Sequence, residues 1–214
     1  MKQKMNIGRK AGLLYLLLIP LGVLGILFIP SYFFVADDIN ATMENIANDE
    51  GLFRMGIVSS LATQIVQIFV VLALYRLFKE VNQRMAAFMV ISILVAVPIA
   101  MLNELNYFAV LESLGNGEQV SLFLSLHEYG VFIAQIFWGI WLFPMGYLAY
   151  KSGFIPKIIG VLLIIACFGY LIDSMMVFLK LDLGFVFSDF TFLGEFAIVL
   201  WLIIKGKKEQ NASN

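Results

Sequence analysis

Residues 11–35 read AGLLYLLLIPLGVLGILFIPSYFFV, an apolar run without a single charged side chain. A helix of that length reaches about 37 Å, enough to cross the roughly 30 Å hydrocarbon core of a bilayer. Arg9 and Lys10 stand just before it, as in a secretory signal. A signal, however, has an apolar region of only about 7–15 residues and needs a small residue near its cleavage point. Here the run is longer, and Phe34 occupies the position two before Ala36 where that small residue belongs. The segment reads as an uncleaved membrane helix.

Working outward, charges and turn residues punctuate the rest of the 214-residue chain into five more apolar stretches, at 54–77, 85–108, 122–149, 155–179 and 185–204. The expectation is an all-α fold, a six-helix transmembrane bundle that forms a single integral membrane domain over 1–214 with an external loop at 36–53. Composition agrees, with 61% of positions apolar and 14% charged, against about 25% charged in a soluble domain. Soluble, disordered and nucleic-acid-binding classes are thereby excluded. One cysteine, Cys167, allows neither an intrachain disulfide nor a cysteine-cluster metal site.

Basic residues are retained on the cytoplasmic side during insertion. With the N-terminus inside, Lys2, Lys4, Arg9, Lys10, Arg76, Lys79, Arg84, Lys151, Lys157, Lys205, Lys207 and Lys208 share the cytoplasmic side. Only Arg54 and Lys180 fall outside, while the outer side collects acids such as Asp37, Glu50, Glu112 and Asp182. Both termini are therefore expected in the cytoplasm. Phe33 and Tyr107 read as interfacial rings at outer helix ends. Pro20 with Gly22, Pro98 and Pro144 predict kinks. In the outer loop Ile39, Met43, Ile46 and Ala47 recur at helical spacing, which fits a short surface helix or an ordered acidic loop.

Ionisable side chains at membrane depth are expensive and so are informative. Glu104, His127, Glu128, Asp173 and Glu195 come from four different helices, yet all are expected in the outer half. Helical spacing puts Ser188, Thr191 and Glu195 on one stripe, Tyr170 with Asp173 on one face, and Glu128 with Gln135 on another. Gln64 and Gln67 continue a polar band on the second helix, with Arg54 at its head as the one nearby cation. Polar faces turn away from lipid towards neighbouring helices, so these residues are expected to line one pocket that opens outward. An acidic pocket attracts cations: protons, a metal ion or an amine-bearing ligand. Simpler roles stay open. Glu104 and Glu128 are shallow enough to reach headgroups, His127 fits a helix start, the helix-two amides fit interhelical hydrogen bonding, and Asp173 and Glu195 fit structural hydrogen bonds.

Several motifs extend this reading: Arg9-Lys10-Ala11-Gly12-Leu13-Leu14-Tyr15, Glu50-Gly51-Leu52-Phe53-Arg54, Leu126-His127-Glu128-Tyr129-Gly130, Tyr150-Lys151-Ser152-Gly153-Phe154-Ile155-Pro156, Gly169-Tyr170-Leu171-Ile172-Asp173-Ser174 and Gly194-Glu195. In these the chain resembles a bacterial family of multi-pass membrane proteins known as domain of unknown function four-three-eight-six. The resemblance implies a six-helix protein of the bacterial plasma membrane and brings no activity, substrate or cofactor. Three functions remain in view: binding or sensing a small ligand or cation in the outer pocket, an accessory role within a membrane complex, and intramembrane metal-assisted hydrolysis with His127, Asp173 and Glu195 as ligands. The lipid bilayer is the expected partner; no cofactor, resident metal or nucleic acid is expected.

Overall fold

The computed structural model describes residues 6–181 and 183–206, with the backbone alone for Phe190. Lys2, Lys4, Asp182, Lys207 and Lys208, counted above for orientation, lie outside the described residues. Every regular element among the described residues is helical. In chain order they are α1 (Ile7–Gly22), a π-helical segment (Val23–Phe28), α2 (Ile29–Phe33), α3 (Ile39–Asn48), α4 (Glu50–Phe78) and α5 (Gln83–Asn103). Then follow α6 (Leu105–Glu112), α7 (Gly117–Ile140), α8 (Leu142–Lys151), α9 (Lys157–Leu179), α10 (Ser188–Thr191) and α11 (Leu193–Ile204). Short polar side chains start many of them. Asn6, Asp38, Asp49, Asn82 and Asn116 each accept a hydrogen bond from a first-turn N–H, satisfying donors that an α-helix leaves open.

Five rods are long and apolar enough to cross a membrane: Ile7–Phe33, Glu50–Phe78, Gln83–Glu112, Gly117–Lys151 and Lys157–Leu179. Leu27, Phe69, Ile91 and Phe168 stand 54–63% exposed on their outward faces. A water-soluble surface seldom tolerates so much apolar area, and together these features suggest a multi-pass membrane protein. The stretch read as a sixth span is shorter than expected. Residues 185–187 are not helical, Phe192 separates α10 from α11, and the twelve residues of α11 reach only about 18 Å.

The rods neighbour one another in chain order. The first packs on α4, α4 on α5, α5 on α7, and α7 and α8 on α9; α11 closes the ring against both α9 and α1. Proline and hydroxyl chemistry shape two walls. Helix α7 ends at Ile140, whose carbonyl would need an N–H that Pro144 lacks. In the first rod the helix widens to π geometry between Pro20 and Pro30, while Ser59 of α4 donates a 2.9 Å hydrogen bond to the Leu21 carbonyl. By contrast α5 runs through Pro98 and breaks at Glu104 instead.

The outer loop does contain a helix, α3. Ile46 and Thr42 are buried beneath it, and Ile46 joins Phe33, Phe53 and Tyr107 in an apolar cluster. Tyr107 and Phe33 are consequently only 3% and 0% exposed. Their reading as interfacial rings is corrected: Tyr107 is enclosed by Phe34, Phe53 and His127, and Phe33 packs edge-on against Phe53.

Candidate functional site

A cavity of about 500 Å³ lies among the π segment, α4, the α5–α6 junction and α7. Glu104 occupies that junction, where the helix breaks for one residue, and it is 6% exposed. One carboxyl oxygen, Oε1, lies 3.4 Å from Nε2 of His127. The other, Oε2, is buried and has no hydrogen-bond partner. Behind the pair, the His127 ring stacks face to face on Tyr107, with centroids 3.5 Å apart and planes 10° apart. Both rings and Glu104 line the cavity.

Local packing holds this arrangement. The Asn103 side-chain amide donates to the His127 backbone carbonyl at 2.8 Å and accepts from Asn106 at 3.0 Å. Gly130, one turn along α7 from His127, permits the approach: a Cβ there would collide with the Asn103 side chain. Deeper along the wall Gln64 is buried with Oε1 unpartnered, and Trp138 has an unpartnered buried Nε1. Glu128 also lines the cavity but is exposed.

Glu195 belongs to a different cluster. Its two carboxyl oxygens accept from the Tyr15 hydroxyl at 2.6 Å and the Tyr170 hydroxyl at 3.0 Å, and the Tyr15 ring leans on Trp141 at 5.7 Å. Gln135 reaches this cluster rather than the cavity, donating to the Tyr170 carbonyl at 3.2 Å. Tyr15 lies about 12 Å from the start of α1 and about 27 Å from the far end of its rod, taking 1.5 Å per residue. The expected setting of Glu195 in the outer half is therefore corrected. The short final rod begins late, and this draws its carboxyl away from the α3 end.

Asp173 has a third, structural role. Its Oδ1 and Oδ2 accept from the backbone N–H groups of Phe187 and Ser188 at 2.8 and 2.7 Å, capping the start of α10. Asp173→Ala is expected to cost about 1–2 kcal/mol, the usual value of a lost cap. Hydrogen exchange should read this as faster exchange at Phe187 and Ser188, with α4 and α5 unchanged.

The expectation of one chamber is corrected accordingly. Glu104, His127, Glu128 and Gln64 meet at the cavity, whereas Glu195, Tyr170 and Gln135 form a second group and Asp173 a third. Arg54 pairs with Glu50 at 2.6 Å on the exposed first turn of α4. Gln67 is buried on α4, a turn beyond Gln64 and apart from the cavity lining. Among the described residues no group of three or more His, Cys, Asp and Glu side chains is placed to hold a metal ion. His127, Asp173 and Glu195 each face other partners, so the ligand set imagined for metal-assisted hydrolysis is not assembled.

Sequence reasoning overlooked Tyr15, Asn103 and Trp138, and assigned Tyr107 to the interface. Tyr15 carried a signal: with Ala11 and Gly12 it shares a face at three- and four-residue spacing, and that face is buried. Trp138 carried none, because an aromatic residue mid-span is ordinary membrane composition.

Residues 10–206 match the family described as Domain of unknown function (DUF4386). An uncharacterized protein of Archaeoglobus fulgidus is 33% identical over 147 residues, which cover 67% of this chain and 79% of that protein. Its source is archaeal, so similarity to this chain is not confined to bacteria. No solved structure matches.

Proposed function

Since the chain belongs to the family described as Domain of unknown function (DUF4386), we propose its function from the geometry alone: it binds, and by binding senses, a small amine-bearing cation in the cavity headed by Glu104 and His127. One observation carries this reading. A carboxyl group 6% exposed leaves an oxygen unpartnered on a cavity wall, and burying such a group is costly unless a donor meets it. An ammonium group supplies both the donor and the opposite charge. The mainly apolar lining, with Ile26, Leu124, Val131 and Phe132, suits an organic body better than a bare hydrated ion.

The same proposal includes six crossings of a cell membrane with both termini cytoplasmic. Arg9, Lys10, Arg76, Lys79, Arg84, Lys151, Lys157 and Lys205 stand near rod ends remote from α3, and the positive-inside tendency supports that end as cytoplasmic. Residues 188–204 reach about 25 Å as a broken rod, which a tilted or locally thinned bilayer accommodates. The cavity then opens towards the outside.

Thermal unfolding of the purified full chain in detergent tests the binding reading, with n-hexylamine as probe and n-hexanol as uncharged control. Hexylammonium is expected to raise Tm in proportion to the logarithm of its concentration once above Kd. The near-isosteric Glu104→Gln should remove that rise while leaving the ligand-free Tm within a few degrees. Equal shifts with hexanol, or an unaltered response in Glu104→Gln, would overturn the reading.

A further inference from the structure

The cavity has a second polar station that an ammonium group at Glu104 does not use, and the following rests on that ammonium reading. Gln64 is 4% exposed, and its Oε1 is a buried acceptor without a donor. The indole Nε1–H of Trp138 is a buried donor without an acceptor. Both side chains line the same cavity as Glu104. Trp138 follows His127 by eleven residues on α7, about 16 Å along the axis, so its station lies well away from the carboxyl. Val131, Phe132 and Ala100 on the intervening walls are apolar.

The chemistry of the pair selects its occupant. A group that both donates and accepts satisfies Gln64 and Trp138 at once. A hydroxyl does both through one atom, donating to the Gln64 oxygen and accepting from the indole. A carboxylate accepts from the indole but is repelled by the amide oxygen, and a second ammonium leaves the indole without an acceptor. Thr63 cannot act as the donor to Gln64, since its own hydroxyl proton is given to the Ser59 carbonyl at 2.8 Å. We infer that the ligand is an amphiphilic amino alcohol, held with its ammonium on Glu104, its hydroxyl between Gln64 and Trp138, and an apolar spacer between them.

A series of straight-chain α,ω-amino alcohols of increasing length, each compared with the n-alkylamine of equal length, tests this on the full chain in detergent. One length is expected to bind about tenfold more tightly than its alkylamine, the gain of about one net hydrogen bond. Gln64→Leu combined with Trp138→Phe should equalise the two classes. Should that variant fail to fold, ¹⁵N-indole spectra of the unmodified chain decide: the Trp138 N–H signal, assigned with Trp138→Phe, should move on adding the best amino alcohol and stay with the alkylamine. Alkylamines and amino alcohols binding equally at every length, or an unmoved indole signal, overturns the hydroxyl station and leaves the ammonium site standing. Failure of both classes to bind overturns both.

Discussion

Gly160→Leu is expected to prevent assembly of the bundle. Gly160 of α9 and Gly146 of α8 meet backbone to backbone, and a Cβ built at either lies 2.6 Å from the carbonyl oxygen of the other. At Gly160 the same atom also lies 2.7 Å from the Tyr150 backbone nitrogen. Backbone cannot swing aside as a flexible side chain can, so the two helices must part. Helices in lipid gain no hydrophobic drive for association and depend on close van der Waals packing at small residues. Overpacking by a methyl group costs about 1–3 kcal/mol, and leucine exceeds what local spreading absorbs. Gly160→Ala should therefore lower Tm yet leave a monodisperse protein in detergent, while Gly160→Leu should yield no monodisperse peak. Gly22→Ala is the control, because a Cβ there meets nothing within 4 Å and its φ of −67° is helical. A leucine variant melting like the parent would show that α8 and α9 do not meet as described.

The second large effect is expected from Tyr15→Phe combined with Tyr170→Phe. Together these remove both hydroxyls that hold the Glu195 carboxyl while preserving the ring packing. An intramolecular hydrogen bond contributes about 0.5–1.5 kcal/mol net, and cycles within membrane proteins average nearer 0.6 kcal/mol. Leaving the acceptor buried and unpaired adds its desolvation cost, so the double variant should lose more than the two single variants summed. Adding Glu195→Leu removes the stranded group and should recover most of the loss. Chemical unfolding of the parent and the four variants in mixed micelles measures this. Additive single losses with no recovery by leucine would mean that Glu195 does not depend on the two tyrosines.

Much of the scaffold is legible along the chain. Apolar run length located five rods to within a few residues, because a bilayer-sized helix needs about twenty such positions. Asn82 and Asn116 cap the starts of α5 and α7 ahead of the apolar runs at 85 and 122, a local signal that run length alone does not register. The final rod was read as too long because hydropathy does not register hydrogen bonds. Phe185 and Phe187 look like span residues, yet the backbone at Phe187 and Ser188 is taken by the Asp173 carboxylate. Tyr107 was misread for a related reason: a ring at the end of an apolar run has the same composition whether lipid or the rings of Phe34, Phe53 and His127 cover it.

Family membership, helical class and the identity of the acids set within apolar stretches follow from sequence alone, since each depends on side-chain chemistry summed over neighbours in the chain. Which acids meet follows only from tertiary packing. Glu104 and His127 are 23 residues apart and Glu195 and Tyr15 are 180 apart; these pairings depend on the order and rotation of rods around the ring. Periodicity gives the polar face of each helix but not the helix it faces, because one stripe of small and polar residues can be satisfied by several neighbours. Close contacts choose among them, with Gly130 admitting Asn103 and Gly160 admitting Gly146, and those contacts separate the carboxyl of the cavity from the carboxyl held by tyrosines.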